Sequence, residues 1–489
     1  MTTPTPPIAF GGPIAARWPS VEVPDAVVRR LATLCPTSSA PEALAEAGRD
    51  WWPLTIRWAL TGGVPALPAV VATPSSADQV AAVLRVCNEA RVPVTAAAGR
   101  SGVCGASVPV FGGVALDLTG LAGIDDIDDR SLLVRVRPGT FGDVFERDLH
   151  AAGLTLGHWP QSIELSTVGG WIACRSAGQY STRYGKIEDM VRGLSVVLAD
   201  GTAVDTGGRA PRAASGPDLT QLFVGSEGVL GVITSAVLRV HPAPSGDRRG
   251  VWGFPTFHAG LDACRRILRR GGQPAVLRLY DEAESMRSFA TESNVMIVLD
   301  EGDPAIVDAA MAIVGDECGD PDLDDRLVAR WMEHRNDVSA LAALVQRGFV
   351  LDTIEIAARW DALPGIYDAA VAALRAVPGV VAASAHQSHA YTDGACLYFT
   401  WAAQPPEGAD PDAIYVQAWD AVTNVTLDRG GALSHHHGVG LNRARFMEAT
   451  LGAGAMDVLR ALKRALDPNG ILNPGKLGLP SPFGPSPWP

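Results

Sequence analysis

Ala98-Gly99-Arg100-Ser101-Gly102-Val103-Cys104-Gly105-Ala106 follows closely on the strand-like run Val92 to Thr95. Glycines at this spacing let successive backbone N–H groups point into one concavity, a geometry suited to a pyrophosphate. The spacing is G-x-x-G-x-x-G, not the dinucleotide fingerprint G-x-G-x-x-G, and no acidic residue follows at the ribose distance. Alone, the loop is equally compatible with an ordinary Gly-rich turn, so its surroundings have to decide.

Upstream, Ala69 to Ala72 reads as a short strand, and Ser75 three residues before Asp78 reads as a helix start. Val80, Val83, Leu84 and Cys87 then fall on one helix face. Downstream, Val114 to Leu118 and Leu132 to Val136 read as strands and Phe141 to Ala152 as a helix. Leu194 to Val204 reads as a hairpin around Asp200-Gly201, and Val232 to Val240 as a strand ended by His241-Pro242. Two further small-residue segments lie in this alternation. Pro160-Gln161-Ser162-Ile163-Glu164-Leu165-Ser166-Thr167-Val168-Gly169-Gly170 leads to Ser176-Ala177-Gly178 and Tyr184-Gly185; its hydroxyls and paired glycines let a flat ring approach the backbone, or simply form tight turns. Gly216-Pro217-Asp218-Leu219 precedes Gly225-Ser226-Glu227-Gly228-Val229-Leu230-Gly231-Val232-Ile233-Thr234. A serine-nucleophile elbow would need Gly at 224, which is Val, and this disfavours a serine hydrolase.

At 489 residues the chain exceeds the size at which one hydrophobic core stops growing, so at least two domains are expected. A net charge of −13 argues against nucleic acid or an anionic membrane as partner. The start, MTTPTPPIAFGG, lacks a basic signal-peptide region, and no apolar run is long enough to span a membrane. Seven dispersed cysteines without a C-x-x-C pair read as reduced thiols, so a cytoplasmic protein is expected. After Pro244, strands alternate with Ala-rich helices to about residue 430, as in a separate α+β domain. A last helix is expected to turn Val458, Leu459, Leu462 and Leu466 inward, before a Pro-rich tail, PSPFGPSPWP.

In this order and spacing, the three segments resemble the flavin-binding domain of the vanillyl-alcohol oxidase type over residues 69 to 242. The resemblance implies an α+β protein with a two-subdomain FAD-binding domain and an α+β cap. It implies an N-terminal arm with helices at 1–60, the FAD-binding domain at 61–243, and the cap at 244–430. A segment returning to the FAD site at 431–478 and the tail at 479–489 complete the chain. Carried over, the cofactor residues are Gly99, Arg100, Ser101, Gly102, Val103, Gly105, Ala106, Pro160, Ser162, Thr167, Gly169, Gly170, Ser176, Gly178, Tyr184, Glu227, Gly228, Gly231, Val232, Ile233, Asn473 and Lys476. Members that tether FAD through histidine carry it in or near the first loop; none occurs between Ala96 and Phe111, so non-covalent FAD is expected.

Ser388-His389-Ala390-Tyr391-Thr392-Asp393-Gly394-Ala395-Cys396-Leu397-Tyr398-Phe399, then Ser434-His435-His436-His437-Gly438-Val439-Gly440 and Leu466-Asp467-Pro468-Asn469-Gly470-Ile471-Leu472-Asn473-Pro474-Gly475-Lys476, are similar to the alkylglycerone-phosphate synthase branch. That branch uses the flavin ring nitrogen to bond the substrate carbon while a fatty alcohol replaces an acyl group, without net redox change. His436 and Tyr398 match its catalytic pair, with His435 and His437 beside them, and Arg278 matches a functional arginine suited to a phosphate or carboxylate. On a strand, His435 and His437 would share one face and His436 the other. A metal site from these with His386 and His389 lacks supporting carboxylate spacing, and none is expected. Tyr398 as a core tyrosine and Arg278 as a surface ion pair are the plain alternatives.

The likeness fails where the synthase branch carries Gly-Arg-Phe after a tryptophan and then Pro-Tyr-Leu-Arg-Asp. Here the sequence runs Trp331-Met332-Glu333-His334-Arg335-Asn336 and Ser339-Ala340-Leu341-Ala342-Ala343. Losing a guanidinium beside the flavin removes an anion anchor, unless Arg335 or Arg347 takes over. Three readings follow: a synthase-like enzyme on a diverged small-molecule or lipid-like substrate, an oxidase or dehydrogenase of an alcohol or 2-hydroxy acid, and a silent flavoprotein module. The family often forms dimers, which is the only ground for expecting a homodimer.

Overall fold

The computed structural model describes residues 6–488, apart from the side chains of Ser339 and Ala340; the first five residues of the expected arm lie outside it. Val70–Ala72, Val114–Asp117 and Val94–Ala97 pair in parallel in that spatial order, with Thr37–Ser38 antiparallel at the edge. Parallel pairing needs a crossover, which the helix Ala77–Ala90 provides, burying Val80, Val83, Leu84 and Cys87 as their spacing requires. The helix is capped by Ser76 rather than Ser75. Ser76 accepts from the Gln79 N–H, and the Gln79 side chain accepts from the Ser75 N–H, so Gln79 holds the position expected for Asp78.

A second sheet is wholly antiparallel, in the order Ala203–Asp205, Val191–Val197, Val232–Arg239, Leu133–Val136 and Ile124–Asp128. Its hairpin turns at Asp200-Gly201 as read. The third sheet is the cap. Its six antiparallel strands run Gly246–Phe254, Asn294–Gly302, Val276–Tyr280, Val380–Ala390, Gly394–Ala403 and Val350–Arg359. Alternation along these strands sends Leu277, Leu279, Leu397 and Phe399 into a core under the helices Phe257–Arg269 and Leu363–Ala376. The intervening Arg278, Tyr280, Tyr398 and Thr400 face the other way, into a cavity. A second core joins Phe145, Trp171 and Ile172 of the FAD-binding half to Val276, Ile297 and Trp331 of the cap, so the two parts share buried apolar surface.

Two expectations at the C-terminal end change. In the helix Ala453–Leu466, Met456 and Lys463 are buried and Leu459, Leu462 and Leu466 partly so, whereas Val458 is 60% exposed. Lys463 is tolerated inside because its ammonium donates to Val229 O and Leu472 O and pairs with Asp467. The Pro-rich end packs: Phe483 lies against Phe111 and Trp488 stacks on Trp52. Aromatic burial supplies what proline-rich backbone cannot form as regular structure. Among the described residues no helix is long and apolar enough to cross a membrane, and no disulfide joins the seven cysteines.

Candidate active site

A cavity of about 820 Å³ lies between the FAD-binding halves and the cap. Gly99, Arg100, Ser101, Gly102, Val103 and Ala106 line it from the first loop, and Pro160, Ser162, Thr167, Gly169, Gly170 and Ser176 from the second segment. Glu227, Gly228, Gly231, Val232 and Ile233 line it from the third. The glycines explain how a dinucleotide would fit. A Cβ on Gly102 would meet only Asp50 Oδ2 at 3.9 Å, and one on Gly228 only Asn473 Cβ at 4.0 Å, so both face open cavity. At Gly99 the reason differs: a Cβ there would sit 2.2 Å from Leu165 O, so glycine lets the first loop press on the second.

The remaining sequence-predicted cofactor residues hold the walls without lining them. Gly105, at φ +76°, packs on Trp52 and Leu441, and Gly178 lies against Trp159 N. Tyr184 donates to Glu301 at 2.8 Å. Asn473 donates to Ala106 O at 2.9 Å and Glu227 O at 2.6 Å, and Lys476 to Val108 O at 2.8 Å. The last two bind the C-terminal segment to the loops, and the sequence spacing alone does not distinguish such braces from ligand contacts.

Opposite these loops the cap presents Arg278 and Tyr398 to the cavity, and the segment that follows it presents His436 and His437. The histidines do not ride a strand. They sit on a loop wrapped around Glu355, whose fully buried carboxylate accepts the backbone N–H groups of His435, His436 and His437 and the Ser434 hydroxyl. Three successive N–H groups can reach one carboxylate only from a curled backbone, so strand alternation does not apply. His436 and His437 both line the cavity, and His435 turns away to Tyr391. Arg443, also fully buried, closes the arrangement by pairing with Glu355 at 3.0 Å and donating to Gly438 O at 2.8 Å. Glu355 and Arg443 were not singled out from sequence, although a glutamate between Ile354 and Ile356 in a strand is a usable signal of a buried anion.

Arg278 is buried rather than a surface ion pair: it donates to Tyr280 Oη at 3.1 Å and meets His386 Nε2 at 2.7 Å. Tyr398 lines the cavity and accepts from Thr353 Oγ1 at 2.9 Å, so it is hydrogen-bonded while facing open space. Near the missing flavin-facing arginine, the helix Ser339–Gln346 offers Leu341 and Leu344 to the cavity. Arg347 is exposed and not on the wall, whereas Arg335 is. Arg335 donates to Gln179 Oε1 at 3.0 Å and lies 5.5, 5.1 and 5.6 Å from the ring centroids of Trp159, Tyr180 and Trp331. Arg278 lies 5.5 Å from the same Trp331 ring. Among the described residues neither guanidinium has a carboxylate within ion-pair distance. Burial pulls the Arg335 pKa below its ordinary value, and the nearby phenol and Glu301 oppose this.

The imidazoles are neutral at physiological pH. Burial, then a neighbouring ring, lowers His435 and His436 to about 3; burial, then the Arg443 guanidinium, lowers His437 to about 4. Burial alone would raise Glu355, but the Arg443 guanidinium holds it far below the usual carboxylate range. Burial raises the Tyr398 phenol. A bare imidazole nitrogen and a protonated phenol thus share one cavity wall, ready to accept and to give a proton.

A flavoenzyme is what this fold and cavity define. A family model described as "FAD binding domain" matches residues 68–207, and one described as "FAD linked oxidases, C-terminal domain" matches 243–477. The chain is 30% identical over 457 residues to alkyldihydroxyacetonephosphate synthase of Dictyostelium discoideum, covering 85% of this chain and 74% of that one. It is 31% identical over 438 residues to the uncharacterized FAD-linked oxidoreductase YgcU of Escherichia coli O157:H7, covering 84% and 89%. A solved alkyldihydroxyacetonephosphate synthase superposes with a TM-score of 0.76 at 25% identity, over 96% of this chain and 89% of that one. The chain belongs to the FAD-linked oxidase family of vanillyl-alcohol-oxidase type, related to the alkylglycerone-phosphate synthase branch, and its cofactor is FAD.

Proposed function

We propose that this enzyme acts at a substrate carbon next to a carbonyl or hydroxyl, in the manner of the synthase branch, on an anionic substrate diverged from acylated dihydroxyacetone phosphate. The observation that carries the reading is the pairing of His436 and Tyr398 across one cavity, their rings near parallel at 6.1 Å and 20°. Bound FAD, held by the three Gly-rich segments without a covalent tether, would supply a reactive ring nitrogen and a two-electron sink. His436 accepts the proton that leaves the substrate, and Tyr398 donates to the departing oxygen. His437 shares the wall, and Glu355 fixes the loop that carries both rings. Arg278 and Arg335 bind a phosphate or carboxylate, because a buried and a half-buried cation, neither with a carboxylate at ion-pair distance, gain most when an anion joins them. A cytoplasmic setting is consistent with seven free cysteines.

Leu341 and Leu344, standing near where the synthase branch places its arginine, favour a second reading as an oxidase or dehydrogenase of a 2-hydroxy acid. Anaerobic mixing with acyl-dihydroxyacetone phosphate plus a fatty alcohol, and separately with D-lactate, separates the two. Slow bleaching with exchange of the added alcohol supports the first; bleaching that persists until oxygen enters supports the second. No spectral response to either, and none lost on His436→Ala, overturns both.

A further inference from the structure

His436 is one end of an unbroken hydrogen-bonded line. Its Nδ1 lies 3.0 Å from His435 Nδ1, and His435 Nε2 lies 3.0 Å from Tyr391 Oη. Tyr391 Oη lies 3.1 Å from Ser181 Oγ, and Ser181 Oγ 2.8 Å from His389 Nδ1. His389 returns to the cavity, so both ends of the line stand on its wall while His435, Tyr391 and Ser181 run behind it. The geometry points to a proton relay in which Ser181, Tyr391 and His435 carry a proton between the two cavity imidazoles, His436 and His389. This rests on the reading of His436 as the proton acceptor.

The donor and acceptor inventory closes along the line. With His436 Nδ1–H donating to His435 Nδ1, His435 Nε2–H donates to Tyr391, Tyr391 O–H to Ser181, and Ser181 O–H to His389 Nδ1. His436 Nε2 is then bare toward the cavity and His389 Nε2 carries a proton. A proton taken from the substrate by His436 Nε2 moves each successive hydrogen one partner along, and His389 Nε2–H is released to a departing group or to water. One proton enters and one leaves, with no change in electrons. Every tautomer is then inverted, and a proton travelling the other way resets the line, as exchange of an outgoing for an incoming group supplies.

Surrounding charges do not break the line. Lys186 stands 4.6 Å over the Tyr391 ring and pairs with Asp189 at 2.9 Å; Glu355, itself paired with Arg443, lies behind the histidine loop. His437 and Tyr398 flank His436, and Arg278 with His386 lies on the same cap face as His389. The rival use of these rings is a metal, since ring nitrogens of His389, His435 and His436 come within 4.8 Å of one another.

Holoenzyme with ¹⁵N-labelled histidine gives a readout that needs no substrate. The relay requires His436 Nδ1 and His435 Nε2 protonated and His389 Nδ1 bare, and requires Tyr391→Phe to remove the tautomer preference at His435 and His436. Kinetically, with the two probes named above, Ser181→Ala and Tyr391→Phe each lower kcat about 100-fold without moving KM. The double variant is no slower than either alone, because a series line is broken once, and Ser181→Thr restores the rate. Tautomers at His435 and His436 that ignore Tyr391→Phe overturn the relay, as does one equivalent of zinc retained by the purified protein. If His436→Ala abolishes turnover while Tyr391→Phe stays within about twofold, the relay alone fails. If His436→Ala leaves turnover intact, the functional reading fails instead.

Discussion

Glu355→Gln tests the feature on which the proposed catalytic wall depends. One carboxylate oxygen accepts from Ser434 Oγ at 2.7 Å, from the His437 N–H at 3.0 Å and from Arg443 at 3.0 Å; the other accepts the N–H groups of His435 and His436. Glutamine keeps the shape but turns one oxygen into an NH₂ donor. Whichever way the amide is placed, a donor faces at least two donors, and Arg443 is left as a buried cation without its anion. Removing one partner of a buried pair costs about 3–5 kcal/mol. With an unfolding entropy of about 1 kcal/mol/K for a chain of this length, the loss lowers Tm by about 3–5 °C. Because the loop carries His436 and His437, kcat should fall by about 100-fold or more even where folding persists. Differential scanning calorimetry of the holoenzyme gives the first number and stopped-flow flavin reduction the second. An unchanged Tm together with unchanged turnover would refute the claim that this carboxylate organises the loop. Pairing Glu355→Gln with Arg443→Met should recover part of the stability, since the stranded charge is then gone.

Further outcomes follow from the same geometry. The His435, His436 and His437 values lie below the ordinary histidine value, so the unfolded chain binds protons that the folded chain refuses. Stability is highest above about pH 6.5 and falls as pH drops toward 3; between pH 7.5 and 5 the cluster as a whole should cost at least about 2 kcal/mol, which urea melts at the two pH values would show. Gly102→Leu should leave the apoprotein's Tm unchanged and abolish flavin absorbance near 450 nm, because its side chain enters the cavity rather than the core. Arg335→Met should raise KM for an anionic substrate about 10- to 100-fold with little change for a neutral analogue, measured by steady-state kinetics. Acid precipitation should release all of the flavin into the supernatant, and yellow colour retained in the pellet would contradict a non-covalent FAD.

Local spacing settled much of this protein. The Gly99–Ala106, Pro160–Gly178 and Gly225–Thr234 segments could be read because the need for small residues where a ligand meets backbone is written in consecutive positions. The crossover helix was legible because its buried face repeats at 3.6 residues. The cap-side chemistry was legible only in part. His436 and Tyr398 were identified by resemblance, but strand alternation misplaced their neighbours, since the loop's curl is imposed by a carboxylate about eighty residues earlier. Asn473, Lys476 and Tyr184 looked like ligand contacts because a buried brace and a cofactor contact have the same composition. What only the tertiary structure decided is convergence. Arg278 and Arg335 both lie against the Trp331 ring, Ser181 meets His389, and Glu355 meets Arg443, residues far apart in sequence brought together by tertiary packing. Periodicity constrains which face a residue takes, but not which distant residue that face will meet; the Gly-rich side of this cavity depends on the first, and the histidine wall opposite depends on the second.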